Sequence, residues 1–191
     1  PMMLVMNHLR YDAMVLGNHE FNFGLKVLDR ARADARFPWL SANTETAPGS
    51  GRKPFAPYIV KTGAGVTVAV VGITPPAIPQ WEQPDHYAGL RFQAGPEAAA
   101  RAVAEVRARH RPDILVAAVH DDNMVRQIAT EVSGIDAIVF GHSHQQVAGE
   151  RIGEVLLMQP RNWGISLGRI DFDLERAGGR WKIVNKSSRL I

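Results

Sequence analysis

Three apolar segments of the chain each end in polar side chains. Residues 11–16 lead into Gly17-Asn18-His19-Glu20, residues 113–119 into His120, and residues 136–140 into Gly141-His142-Ser143-His144. Short apolar runs without alternation are typical of strands that are buried on both faces, as in a sheet covered by helices. The pattern therefore predicts strands whose ends present candidate functional side chains.

The segments between these strands have helical signals. Helices are predicted over residues 25–36, over 96–111 between Pro96 and Pro112, and over 122–132 before Gly134. Residues 66–73 form another apolar run and predict a further buried strand. Near the end of the chain, alternating apolar residues flank Gly178-Gly179 and predict an antiparallel hairpin. The fold class predicted from these elements is α/β.

Composition limits the class of protein. With 191 residues and 46% hydrophobic content, the chain suits one globular domain over residues 1–191, and no interdomain linker stands out. Its apolar runs are far shorter than the roughly 20 residues of a membrane-spanning helix, so no such segment is predicted. The charge of +3 includes arginines clustered at 101–111. They indicate a solvated helix face rather than a site for a nucleic-acid polymer. Oligomeric state is not predicted.

The side chains at the strand ends suggest metal chemistry. Ligands of open α/β sheets bind beyond the carboxyl ends of the strands, so we expect one crevice to collect Asn18, His19, His120, His142 and His144. The chain has no cysteine, and imidazole and amide ligands suit Mn, Zn, Fe, Ni or Co. The alternation of His142 and His144 favours two neighbouring ions, and a two-metal site is suited to phosphoester hydrolysis.

The same residues resemble a known family. Residues 17–20 and 141–144, with His120 between them, resemble the later signature motifs of the calcineurin-like metallophosphoesterases. More narrowly, residues 6–24 are similar to the family of 5′-nucleotidases and 2′,3′-cyclic-nucleotide 2′-phosphodiesterase/3′-nucleotidases. Residues 78–82 look like a segment of its cyclic-nucleotide branch. The resemblance extends over nearly the whole chain.

The resemblance implies a fold, an activity and a role for each site residue. The fold would be a four-layer α/β/β/α sandwich with two mixed sheets. The activity would be hydrolysis of nucleotide phosphoesters, with metal-bound hydroxide attacking phosphorus. Asn18, His120 and His142 would ligate one metal and His144 the other, while His19 would bind the phosphate and stabilise or protonate the leaving oxygen. Substrate-binding residues are not predicted, and the resemblance implies a periplasmic or extracellular location.

The chain also departs from the family. The family's first two motifs, an Asp-x-His and a Gly-Asp, have no counterpart here, and its carboxyl-terminal domain would lie beyond Ile191. We therefore expect a catalytic domain that is incomplete at its N-terminus. The parent protein would bind two divalent ions, and this chain alone one or none. The alternative is a non-catalytic metal-binding or scaffold domain that keeps the fold.

Several other residues have alternative interpretations. Many 5′-nucleotidases orient the catalytic histidine with an aspartate three positions after it, where this chain has Asn22. For Asn43, a structural role in a turn is at least as good an interpretation as a role in the site. For Trp81-Glu82, a packed surface turn and a functional segment are equally good interpretations. The carboxylates nearest to the motifs are expected to act as capping or surface residues; they are Glu20, Asp121 and Asp122.

Overall fold

Three of the four predicted apolar runs lie in one six-stranded mixed sheet. The computed structural model describes residues Pro1–Ile191. Its strands are β1 (Met14–Val15), β2 (Trp39–Leu40), β3 (Thr44–Thr46), β4 (Tyr58–Gly63), β5 (Val66–Ile73), β6 (Leu90–Phe92), β7 (Ile114–Val119), β8 (Ala137–Phe140), β9 (Val147–Ile152), β10 (Val155–Gln159), β11 (Gly168–Ala177) and β12 (Arg180–Leu190). Its helices are α1 (Met2–His8), α2 (Gly24–Asp34), α3 (Ile78–Trp81), α4 (Gly95–His110) and α5 (Asp122–Glu131).

The large sheet has the strand order β4-β5-β7-β8-β10-β9. Its four central strands, β5, β7, β8 and β10, are parallel, and β4 and β9 pair antiparallel at the two edges. The carboxyl ends of the parallel strands therefore meet at one edge of the sheet. Strands β5, β7 and β8 and the β11–β12 hairpin confirm the predicted elements, whereas β4, β9 and β10 were not predicted.

The α/β class is confirmed, but the sheets are unequal. Instead of two mixed sheets, the chain has the six-stranded mixed sheet and three two-stranded sheets, which are β1–β2, β3–β6 and β11–β12. The predicted strand at residues 11–16 is regular over only two residues. Its partner β2 is equally short, and the pair is parallel with Met14 opposite Trp39. Strand length here depends on the partner as well as on the apolar run.

Helices α4 and α5 bury their apolar faces with the six-stranded sheet in one core. This core contains Ala99, Val103 and Val106 of α4, Val125 and Ile128 of α5, and inward-facing residues of the strands. Helix α4 has Pro96 in its first turn, where the missing N–H costs nothing. The Asp121 side chain accepts a hydrogen bond from Asn123 N–H at 2.9 Å and caps α5. Both helices begin where the sequence predicts.

A second core joins α2 to the β1–β2 pair. Phe21, Leu25, Leu28, Trp39 and Ile78 are buried together there. The short helix α1 was not predicted, and none of its residues is fully buried, although Met3 and Met6 pack against this core. None of the helices is long and apolar enough to cross a membrane.

Candidate functional site

A cleft of about 490 Å³ lies at the carboxyl ends of the parallel strands. It receives side chains from the turns that follow β1, β7, β8 and β10. The lining residues are Asn18, His19, His120, Phe140, Gly141, His142, His144, Gln159, Pro160, Arg161, Asn162 and Trp163. All five predicted site residues line this cleft. Sequence analysis missed Gln159, Arg161 and Trp163 as lining residues, because the strand that leads to them, β10, was not predicted.

His120 is at the centre of the donor groups. Its backbone N–H donates to the Ile73 carbonyl at 3.0 Å, which continues the β5–β7 ladder. Its Nε2 lies 3.2 Å from Asn18 Oδ1, and its ring centroid lies 5.5 Å from that of His142. Gly17 permits this arrangement, because a Cβ at that position would lie 2.8 Å from His120 Nε2. The structure thus brings Asn18, His120 and His142 together.

The environment of His120 keeps its imidazole neutral. Burial, followed by the nearby His142, His19 and His144, lowers the pKa of His120 from 6.5 to about 4. The neutral ring retains a nitrogen lone pair at neutral pH. A lone pair is what a metal ligand requires, so this feature of the cleft fits a divalent ion.

The backbone at His142 and His144 is strained. Both residues have positive φ, at 101° and 61°, a region that costs a non-glycine residue about 1–3 kcal/mol. The His142 ring stacks on Trp81, with centroids 5.3 Å apart and an interplanar angle of 22°. His144 is exposed and its ring is edge-on to Trp163, with centroids 6.2 Å apart. The two histidines therefore have different neighbours, in keeping with separate positions in the cleft.

Gln159 anchors the loop between these histidines. Its Nε2 donates to Ser143 Oγ at 3.1 Å, and Gln159 itself is 1% exposed at the end of β10. This contact ties the strained loop to the six-stranded sheet.

His19 lies on a one-turn 3₁₀ helix that follows β1. Its Nδ1 is 2.7 Å from Asn22 Oδ1. The Asn22 amide in turn donates to the Glu82 carboxylate, whose other oxygen lies 2.9 Å from His86 Nδ1. The loop contact from residue 22 to residue 82 was not predicted. The only sequence signal was the Trp81-Glu82 pair, which is interpreted equally well as a packed surface turn.

No carboxylate lines the cleft. Glu20 Oε2 accepts the Gly17 N–H at 2.6 Å, and burial raises the pKa of this carboxyl. Asp121 caps α5, as expected for a capping residue. Asn43 is fully buried and bonds to the backbone N–H and C=O of Thr74, which confirms the structural interpretation.

The donor set consequently fits one ion better than two. No group of three His, Asp or Glu side chains lies close enough to hold a metal. The nearest equivalent is the set of two imidazoles and one amide formed by His120, His142 and Asn18, while the His144 ring packs edge-on against Trp163. Imidazole and amide oxygen suit Mn, Zn, Fe, Ni or Co.

The chain belongs to the calcineurin-like phosphoesterases, because the profile of that family matches residues 2–146. The predicted family is therefore confirmed.

Known relatives are similar in sequence to this chain over nearly all of its length. The trifunctional nucleotide phosphoesterase protein YfkN of Bacillus subtilis is 32% identical over 100% of this chain and 15% of its own length. A 2′,3′-cyclic-nucleotide 2′-phosphodiesterase/3′-nucleotidase of Salmonella typhimurium is 29% identical over 96% of this chain and 33% of its own. The crystal structure of YfkN superposes with a TM-score of 0.88 at 31% identity, covering 100% of this chain and 66% of that one. The chain thus spans a third or less of the length of these two curated relatives.

Proposed function

We propose that residues 1–191 are the catalytic domain of a metal-dependent phosphoester hydrolase that acts on nucleotides. The proposed reaction is that of a 2′,3′-cyclic-nucleotide phosphodiesterase or a 3′- or 5′-nucleotidase. The observation that carries the proposal is the convergence of Asn18, His120 and His142 on one cleft beside His19. The names of the relatives, which are nucleotide phosphoesterases, support the same substrate class.

We assign the metal ligands as the sequence predicts. Asn18, His120 and His142 would hold one divalent ion, and His144 would contribute to a second ion in the parent protein. When bound, such ions activate water at neutral pH and stabilise the charge that develops on the phosphoryl oxygens. The side chains of this chain supply neutral donors, and Arg161 adds the one fixed positive charge in the cleft lining. That charge favours the approach of a phosphate anion.

His19 is proposed as the residue that binds the phosphate and protonates the leaving oxygen. Its Nδ1 is occupied by Asn22, which leaves Nε2 as the nitrogen able to give up a proton. As the phosphorus–oxygen bond breaks, that proton would pass to the departing oxygen, and the imidazole would be left neutral. Positioned acids of this kind contribute about 10²–10⁴-fold to rate.

Hydrolysis of 2′,3′-cyclic AMP with added Mn²⁺ tests this proposal, because the departing sugar oxygen is a poor leaving group that benefits from protonation. We expect turnover by the chain to fall about 10²–10⁴-fold in His19→Ala. His8→Ala is the matched control, because His8 is exposed on α1 and lies outside the cleft lining. Turnover that is unchanged in His19→Ala would contradict the role of His19.

A non-catalytic metal-binding or scaffold domain is the second candidate, favoured by the absence of carboxylates from the cleft. Native mass spectrometry of the Mn²⁺-loaded chain separates the two. One ion lost in His142→Ala, without turnover, would support the binding domain. Two ions together with turnover would support the hydrolase. A periplasmic or extracellular location is likewise proposed from the family and is tested by cell fractionation.

A further inference from the structure

A buried carboxylate lies two hydrogen bonds away from the cleft. The side chain of Glu82 is only 7% exposed, and its two oxygens have different partners. Oε1 accepts from the Asn22 side-chain amide, and Oε2 is 2.9 Å from His86 Nδ1. Asn22 is also bonded to His19 Nδ1 at 2.7 Å. His19, Asn22, Glu82 and His86 therefore form one continuous chain of hydrogen bonds.

The chemistry of these groups determines which way each one points. An ionised carboxylate can only accept hydrogen bonds, so the Asn22 group that faces Glu82 has to be the NH₂. The other end of the amide, Oδ1, then faces His19 and also only accepts. His19 must therefore carry a hydrogen on Nδ1. A neutral imidazole that is protonated on Nδ1 has its lone pair on Nε2.

We propose that Glu82 is a positioning residue that, through Asn22, holds His19 in a single ring orientation and in the Nδ1–H tautomer. The effect of Glu82 on turnover rests on the proposed function of His19, whereas the effect of Glu82 on the His19 tautomer does not. Asparagine is required at position 22 because it accepts from His19 and donates to Glu82 at the same time. An aspartate there would place two carboxylates in contact.

The neighbour of Glu82 supports a positioning role for this segment. Trp81 stacks on His142. The next residue, Glu82, accepts a hydrogen bond from Asn22, the residue bonded to His19. Helix α3 is itself held by Ile78, which is fully buried in the second core. The segment therefore presents Trp81 and Glu82 from a fixed base.

The tautomer can be measured without any turnover. Long-range ¹H–¹⁵N NMR of the ¹⁵N-labelled chain, at a mildly alkaline pH and with His19→Gln used for assignment, distinguishes Nδ1–H from Nε2–H. We expect the Nδ1–H form of His19 in the wild type and a mixture of both forms in Glu82→Met, since the Asn22 amide is then free to flip. Glu175→Met is the matched control, because Glu175 is exposed and lies outside the network. A single Nδ1–H form in Glu82→Met would overturn the proposal.

Moving the carboxylate from position 82 to position 22 provides a second test. Its expected result, recovery of kcat in the double variant, differs from the result of a loss of folding. Asn22→Asp should lower kcat roughly ten- to hundredfold with little change in KM, because His19 is misplaced while ground-state binding is retained. Adding Glu82→Gln should restore kcat to within about threefold of wild type, because the new amide at position 82 donates to the carboxylate introduced at position 22. Circular dichroism confirms folding of each variant. Failure of the double variant to recover, while folded, would contradict the proposal.

The two tests separate this proposal from the proposed function. A wild-type chain that shows the expected tautomers but hydrolyses no phosphoester would support the positioning role of Glu82 and count against the hydrolase. A chain that turns over substrate, with a His19 tautomer that does not respond to Glu82→Met, would overturn only the positioning role.

Discussion

Replacing Gly17 by alanine is expected to shift the His120 ring within the cleft. An alanine Cβ would lie 2.8 Å from His120 Nε2 and 2.9 Å from two ring carbons. Restoring an ordinary contact of about 3.5 Å moves the ring by roughly 0.7 Å. Gly17 has no positive φ, so the change acts through this contact and not through the backbone. The same movement would disturb the 3.2 Å contact between His120 and Asn18.

The magnitude follows from the cost of overpacking. A methyl group forced into a filled site destabilises a protein by about 1–3 kcal/mol. In a domain of this size, each kcal/mol lowers the melting temperature by about 2–4 °C. If the proposed ligand set is right, Mn²⁺ affinity should also fall roughly tenfold or more, since each tenfold corresponds to about 1.4 kcal/mol.

Thermal melting and calorimetric Mn²⁺ titration measure the two effects. Gly141→Ala is the matched control, because its Cβ would lie 3.6 Å from His120 Nδ1, an ordinary contact on the same ring. We expect Gly141→Ala to melt and bind Mn²⁺ nearly as the wild type does. Equal damage in the two variants, or wild-type behaviour of Gly17→Ala, would refute the reasoning. If the wild type bound no Mn²⁺, the melting comparison would still test the contact.

Three further predictions concern the imidazoles. Because the pKa of His120 is lowered to about 4 in the folded chain, the unfolded chain takes up its proton first as the pH falls from 6.5. The contribution of His120 to the free energy of unfolding should therefore be fully present above pH 6.5 and be lost progressively between pH 6.5 and about 4. Urea midpoints should depend less on pH over this range in His120→Asn. His144→Gly removes a strained φ of 61° and should leave urea stability unchanged or raise it by about 1 kcal/mol, while native mass spectrometry should show weaker binding of any second ion. A clear loss of stability would contradict the assigned strain. Trp81→Leu removes the stack on His142 and should weaken Mn²⁺ binding several-fold. Trp163→Leu changes a side chain that is 86% exposed, so the free energy of unfolding should change by less than about 0.5 kcal/mol.

The local pattern of apolar and polar residues was sufficient to predict the strands and helices in which that pattern is uninterrupted. Strand β7 is an unbroken apolar run with one fully buried face and one partly buried face, and α4 has a proline in its first turn, so both were predicted within a residue or two. The ligand-type side chains were also predictable, since Asn18, His120 and His142 directly follow apolar runs. Helix α1 and strands β9 and β10 are among the elements that were not predicted. Helix α1 buries no residue completely, and β9 alternates only weakly before the tight turn to β10.

What the sequence determined by itself is therefore the set of strand ends and the chemistry attached to them. The tertiary structure decided which of those ends are neighbours. The pairing of β7 with β8 places His120 beside His142, and Gly17 admits the His120 ring from more than a hundred residues away along the chain. The contact from Asn22 to Glu82 is also non-local. Such contacts depend on the register and packing of elements far apart in sequence, and no local pattern of polar and apolar residues encodes them.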